Sequence, residues 1–134
     1  MRKSNLQSYT ALSNGAMSGT STLTSDVTNI TVLDDIGYQF DWTGSPTGTF
    51  QVEVSANYNQ DNNGNVISAG TWIPLLVSYF NGTTIVQSYS IPTSVGTPIY
   101  VECQQLSAPW IRAVYTNASG TGTLTSMTIC GKMV

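Results

Sequence analysis

The chain has 134 residues, with Lys and Arg supplying 4, Asp and Glu 7 and His none, which gives a net charge of −3 and a charged fraction of 8%. Ordinary soluble domains carry roughly 25% charged residues, so the surface here is polar but mostly uncharged, built from Ser, Thr, Asn and Gln. A chain this short supports one core; its few cations exclude nucleic acid as a partner, since phosphate binding needs a basic stripe, and the absence of histidine excludes Ser/His/Asp and Cys/His catalysis and the usual zinc sites.

From the N-terminus, residues 1–25 show little periodicity, and Ser13 to Ser25 is almost pure Ser, Thr, Gly and small residues. This predicts an extended N-terminal arm with room for one edge strand, followed by a domain over 26–134. Arg2 and Lys3 open the chain, but no apolar stretch of the length a signal peptide needs comes after them, so secretion is not expected. Asn29 to Leu33 is a short β-branched run. Ile36, Tyr38, Phe40 and Trp42 then alternate with Gly37, Gln39, Asp41 and Thr43, the period of two that marks a half-buried strand. Gly44-Ser45-Pro46-Thr47-Gly48 reads as a turn, and Phe50, Val52, Val54 and Ala56 alternate with Gln51, Glu53 and Ser55, which predicts a hairpin.

Asp61 to Asn65 is a second turn. Gly70 to Tyr79 reads as an edge or bulged strand, because Pro74 inside it cannot donate a ladder hydrogen bond. Asn81-Gly82 predicts a tight type I′ hairpin between Phe80 and Thr84. Further strands are expected at Ile99 to Gln105, Trp110 to Thr116 and Thr123 to Lys132, the last entered through Ala118-Ser119-Gly120-Thr121-Gly122. No segment repeats apolar residues at a period of 3.6, and no apolar run approaches the ~18 residues of a membrane span. The pattern is all-β, a single-domain β-sandwich of the jelly-roll or Greek-key kind; strand order does not follow from it.

Few residues offer chemistry. Asp41 and Glu53 are expected on the outer faces of two strands joined by one turn, and Asp34 and Asp35 are adjacent; a glycosidase needs its two carboxyl groups across a cleft, and a strand face is not one. Asp61, Asn63 and Asn65 have calcium-loop spacing, but Val66 stands where that loop needs Gly and Trp72 where it needs Glu, which favours a plain Asx-rich turn. Cys103 and Cys130 lie in no CxxC pattern and read as free thiols, with a cross-strand disulfide as the alternative. Arg112 sits within a strand, suited either to a neighbouring subunit or anionic ligand or to an internal pair with a strand carboxylate. Trp42 belongs to the core-facing alternation; Trp72 and Trp110 are candidates for exposure. No catalytic, cofactor or metal residue emerges, and Arg2, Lys3, Trp72 and Arg112 are the candidate partner contacts.

Three stretches carry a resemblance: Tyr38-Gln39-Phe40-Asp41-Trp42-Thr43-Gly44-Ser45-Pro46-Thr47-Gly48-Thr49-Phe50-Gln51-Val52-Glu53-Val54-Ser55; Gly70-Thr71-Trp72-Ile73-Pro74-Leu75; and Ala108-Pro109-Trp110-Ile111-Arg112-Ala113-Val114-Tyr115-Thr116 running into Ser119-Gly120-Thr121-Gly122-Thr123-Leu124. Over residues 38–133, leaving aside the unplaced stretch 76–100, the chain resembles small β-rich virion proteins of bacteriophages. The resemblance implies a non-enzymatic particle component without cofactors: a head decoration (cement) protein bound to major capsid subunits as a dimer or trimer, located on the virion and made in the host cytoplasm. Its alternative is a receptor- or carbohydrate-binding module of a tail fibre or spike, presenting aromatics such as Trp72. Neither nucleic acid nor membrane is an expected partner.

Overall fold

In a computed structural model that describes residues 6–104 and 107–133, alternating apolar residues line the space between two antiparallel sheets. The strands, in chain order, are β1 (Leu6–Ser18), β2 (Thr22–Thr24), β3 (Thr28–Asn29), β4 (Leu33–Gly44), β5 (Thr47–Ser55), β6 (Asn59–Gln60), β7 (Val66–Ser68), β8 (Ile73–Pro74), β9 (Val77–Phe80), β10 (Ile85–Ser88), β11 (Ile91–Pro92), β12 (Ile99–Cys103), β13 (Trp110–Ser119) and β14 (Thr121–Met133). One sheet has the order β1-β14-β4-β12-β9-β10. The other has β11-β5-β13-β2, with β3 also on β13 and β8 on β5, and β6 and β7 form a separate small hairpin. Among the described residues the helical content is a single 3-10 turn, Thr93–Val95. The all-β sandwich expected from the sequence is the fold observed.

The core forms where the two sheets face each other. Tyr38, Phe40 and Trp42 of β4 and Phe50 and Val52 of β5 are buried, as their alternation predicts. Phe40 and Phe50 stack with centroids 4.3 Å apart and planes 14° from parallel, and Tyr115 of β13 closes on Phe50 at 4.7 Å. Offset and tilted aromatic pairs of this kind add about 0.5–1.5 kcal/mol each beyond the area they bury. On the β13 side of this stack the Tyr115 hydroxyl donates to Asn117 Oδ1 at 2.7 Å, and Asn117 Nδ2 donates to the Gly19 carbonyl at 3.0 Å.

Several local expectations are corrected. β4 and β5 are not a hairpin: β4 pairs with β14 and β12, whereas β5 pairs with β13, β11 and β8. The Gly44-to-Gly48 turn is a corner that carries the chain from one sheet to the other. Ser45 N donates to the Thr121 carbonyl at 3.0 Å, and Thr93 Oγ1 clasps the corner by accepting from Gly48 N at 3.1 Å and donating to the Pro46 carbonyl at 3.0 Å. The Gly70-to-Tyr79 segment likewise divides, β8 joining β5 and β9 joining β12, on either side of Leu75. The run Asn29 to Leu33 turns instead of extending, with Asn29 Oδ1 accepting from Thr31 N and Leu33 N donating to the Ile30 carbonyl.

The Asn81-Gly82 hairpin exists, but with a four-residue loop rather than a type I′ turn. Only Gly82 has positive φ (96°); Asn81 instead caps the loop, its Oδ1 accepting from Thr83 N and Thr84 N, each at 2.9 Å. In the N-terminal stretch, β1 runs beside β14 from Leu6↔Lys132 to Ser18↔Thr121, and Ala11 and Met17 lie in the core. The described part of the expected arm thus holds two edge strands of the sandwich, β1 at the edge of one sheet and β2 at the edge of the other. Gln105, expected to end a strand, lies outside the described residues.

Candidate functional site

On the outer face of the sheet that contains β5 and β13, a polar end to β5 gathers side chains distant in sequence. Ser55 is buried and ends the alternation, so that Ala56, expected inside, is exposed. Its Oγ accepts from Tyr58 N at 3.0 Å and donates to Asn57 Oδ1 at 3.1 Å. Asn57 Oδ1 in turn accepts from Thr71 N at 2.7 Å, which lays the segment before β8 against the end of β5. Trp72 follows at once, its indole N–H donating to the Ala69 carbonyl at 3.1 Å.

Arg112 and Glu53 are direct cross-strand partners on β13 and β5, and Arg112 Nε donates to Glu53 Oε1 at 2.8 Å. The guanidinium carbon lies 4.2 Å from the Trp72 ring centroid, a cation–π contact. Tyr58 completes the group, 5.5 Å from Trp72 and edge-on to Trp110 at 5.0 Å. Of the candidate contacts, the structure therefore brings Trp72 and Arg112 together, and Arg112 takes the internal pair with a strand carboxylate that was one of its two readings. Arg2 and Lys3 lie outside the described residues. Tyr58 was not singled out from sequence; its signal lay in the break of alternation at Ser55, where a turn returns the next aromatic to the sheet.

This arrangement is poorly suited to hydrolysis. Glu53 is committed to Arg112, while Asp41 accepts from Gln39 Nε2 at 3.0 Å on the outer face of the opposite sheet, so the two carboxylates share no cleft. The Asp61 carboxylate caps its own turn, Oδ1 accepting from Asn63 N and Asn65 N, each at 2.9 Å. Those backbone donors, led by Asn65, hold its pKa below the ordinary carboxylate value. Among the described residues no three His, Cys, Asp or Glu side chains group as metal ligands, and no helix is long and apolar enough to cross a membrane.

Cys103 and Cys130 are free, half-buried thiols on β12 and β14, with β4 between them. Both border a cleft of about 570 Å³ whose rim includes Tyr100, Glu102, Asp35 and Lys132. Cys130 Sγ lies 3.6 Å from the Tyr100 hydroxyl, and burial pushes the Cys103 thiol up to about 12. The Asp35–Lys132 pair at 3.1 Å stands on this rim, where Asp35 adopts a positive φ of 49° beside a β-bulge.

No protein-family model matches the chain, and no curated protein matches it either. Among solved structures it is similar to the crystal structure of the SPBc2 prophage-derived protein YomS, with a TM-score of 0.57 over 98% of this chain and 96% of that one, at 13% identity. At that identity the likeness is one of fold.

Proposed function

We propose that the protein is a structural component of a bacteriophage virion, most specifically a decoration protein that binds major capsid subunits as a dimer or trimer and has no catalytic activity. The observation that carries this reading is the end-to-end likeness of fold to a prophage-derived protein. A chain with 8% charged residues supports it physically, since repeated protein contacts then desolvate few long charged side chains. Stabilisation comes from apolar and backbone surface buried at joints between capsomers.

The tail-fibre or spike reading rests on the Tyr58, Trp72 and Trp110 group, since flat aromatic faces stack on sugars. It is the weaker of the two, because the Arg112 guanidinium already lies over the Trp72 ring. A glycan array separates them: saturable binding lost in Trp72→Ala supports the fibre reading.

The primary test is density-gradient purification of particles from the lysate in which the protein is made, followed by quantitative mass spectrometry of the particle band. A copy number comparable to that of the capsid subunit is the expected result. A few copies per particle would move the protein to a vertex or tail, and absence from the band would overturn the virion reading.

A further inference from the structure

Asn followed by Gly occurs three times in the chain, at 14–15, 63–64 and 81–82. Glycine has no Cβ to shield its own backbone nitrogen, so at each pair that nitrogen can approach the carbonyl carbon of the asparagine side chain. The fold treats the three pairs differently. Asn14-Gly15 lies inside β1, where Gly15 is paired with Leu124 and an added Cβ would meet the Leu23 side chain at 2.6 Å. Turning this backbone toward the Asn14 side chain would break ladder pairs on either side. At Asn63-Gly64 the nitrogen is occupied, since Gly64 N donates to the Asp61 carbonyl at 3.1 Å. The Asp61 carboxylate also accepts from Asn63 N at 2.9 Å, and its charge opposes the formation of an amide anion beside it.

Asn81-Gly82 has none of these restraints. Both residues are exposed in the loop between β9 and β10, and Gly82 N–H makes no hydrogen bond among the described residues. Nothing lies within 4 Å of where a Gly82 Cβ would stand, so the loop has room to move. Asn81 Oδ1 accepts from Thr83 N and Thr84 N, each at 2.9 Å. These backbone donors draw electron density from Cγ and stabilise negative charge that develops on Oδ1, as an oxyanion hole does. We propose that Asn81 is a site of self-modification: the Gly82 nitrogen closes on the Asn81 side-chain carbonyl, and the amide is converted to aspartate and isoaspartate. This is independent of the virion reading.

Deprotonated Gly82 N forms a bond to Asn81 Cγ, and the tetrahedral oxyanion collapses with cleavage of the Cγ–Nδ2 bond. Ammonia leaves, taking from solvent the proton that Gly82 gave up, and a cyclic imide remains. Water then adds to either imide carbonyl. Cleavage of the new N–Cγ bond restores the main chain with aspartate at position 81, whereas cleavage of the original peptide bond routes the main chain through the side chain as isoaspartate. Water is consumed and ammonia released, and no oxidant or cofactor takes part. Either product adds a negative charge to a chain of net charge −3. Aspartate keeps both loop caps, now as charge-assisted bonds. Isoaspartate lengthens the loop that sets the Ile85↔Phe80 register.

The test is incubation of the full chain in mildly alkaline buffer, with timed samples digested and mapped by mass spectrometry and isoaspartate read by enzymatic carboxyl methylation. Asn81 is expected to convert about tenfold faster, or more, than Asn14 or Asn63 in the folded protein. Unfolding in urea should bring the three rates together, because local sequence is then all that distinguishes the pairs. The rate at Asn81 should rise with pH as the amide anion becomes more abundant. Gly82→Ala, shown to be folded by circular dichroism, should slow conversion by crowding the nitrogen. The proposal is overturned by an Asn81 that stays an amide, by equal rates at the three pairs in the folded protein, or by a Gly82→Ala variant that converts as fast as wild type.

Discussion

Arg112 shows how far single residues were legible. The sequence placed it in a strand and offered it a strand carboxylate, and Glu53 is that carboxylate; the stacking on Trp72 was invisible, because it depends on Ser55 and Asn57 drawing a distant loop onto the sheet. Tyr38 is the converse case, a core residue read correctly whose hydroxyl has no hydrogen-bond partner among the described residues. Burial holds its ionisation far above the ordinary tyrosine range. An unsatisfied buried hydroxyl is a cost with no compensating bond, so Tyr38→Phe is expected to leave stability intact or raise it by up to about 1 kcal/mol, checked by urea unfolding. Loss of more than that amount would mean that the hydroxyl has a partner, for which the nearby Ser25 hydroxyl is the candidate. Cys103 supplies a pH dependence. Its thiol rises from 9.0 to about 12 on folding, chiefly through burial. Below pH 9.0 the thiol is protonated in both states and its favourable burial is fully present; as pH climbs from 9.0 toward 12 the unfolded chain loses the proton first and the folded state loses ground. Unfolding free energy is therefore expected to fall across that window and to fall less steeply in Cys103→Ala. At neutral pH, Cys103 should resist iodoacetamide until the chain is unfolded.

At the scale of elements, alternation told which residues face inward and was silent about which strand lies alongside. Trp42 and Phe50 both point into the core as expected, yet β4 and β5 belong to opposite sheets, because a period of two fixes a face and leaves the partner to longer-range pairing. Five residues rich in Gly and Pro suit a hairpin and a sheet-to-sheet corner equally well. The same ambiguity split the segment around Pro74. What makes the corner work is Gly44, at φ 87°, where an added Cβ would stand 2.7 Å from Gly122 Cα and 2.8 Å from the Thr121 carbonyl oxygen, both backbone atoms that cannot swing aside. Gly44→Ala combines a left-handed backbone with that collision and is expected to cost about 1–3 kcal/mol. The loss should appear as a lower urea midpoint with an unchanged slope. A variant as stable as wild type would show that the corner can relax, and would weaken the account of how the chain changes sheets.

For the molecule as a whole, the informative pairing is the one that joins its ends. β1 lies along nearly all of β14, from Leu6↔Lys132 to Ser18↔Thr121, and contributes Ala11 and Met17 to the common core. Composition hid this, since Asn and Gly are weak strand formers and the stretch has few large apolar residues to show an alternation; what recruits it is the free edge of β14, whose other side is already paired with β4. Ladder pairing of chain ends makes the sandwich one cooperative unit and places most of its contacts far apart in sequence, the topology of slowly folding β proteins. Deletion of residues 1–18 should therefore do more than remove a tether: it uncovers the backbone of β14 and takes the buried Met17 out of the core. The expected result is loss of the cooperative unfolding transition, with aggregation through the exposed β14 edge, measured by thermal circular dichroism and light scattering. If the truncated chain instead melts cooperatively near the wild-type temperature, β1 is dispensable to the fold and the core closes without Ala11 and Met17.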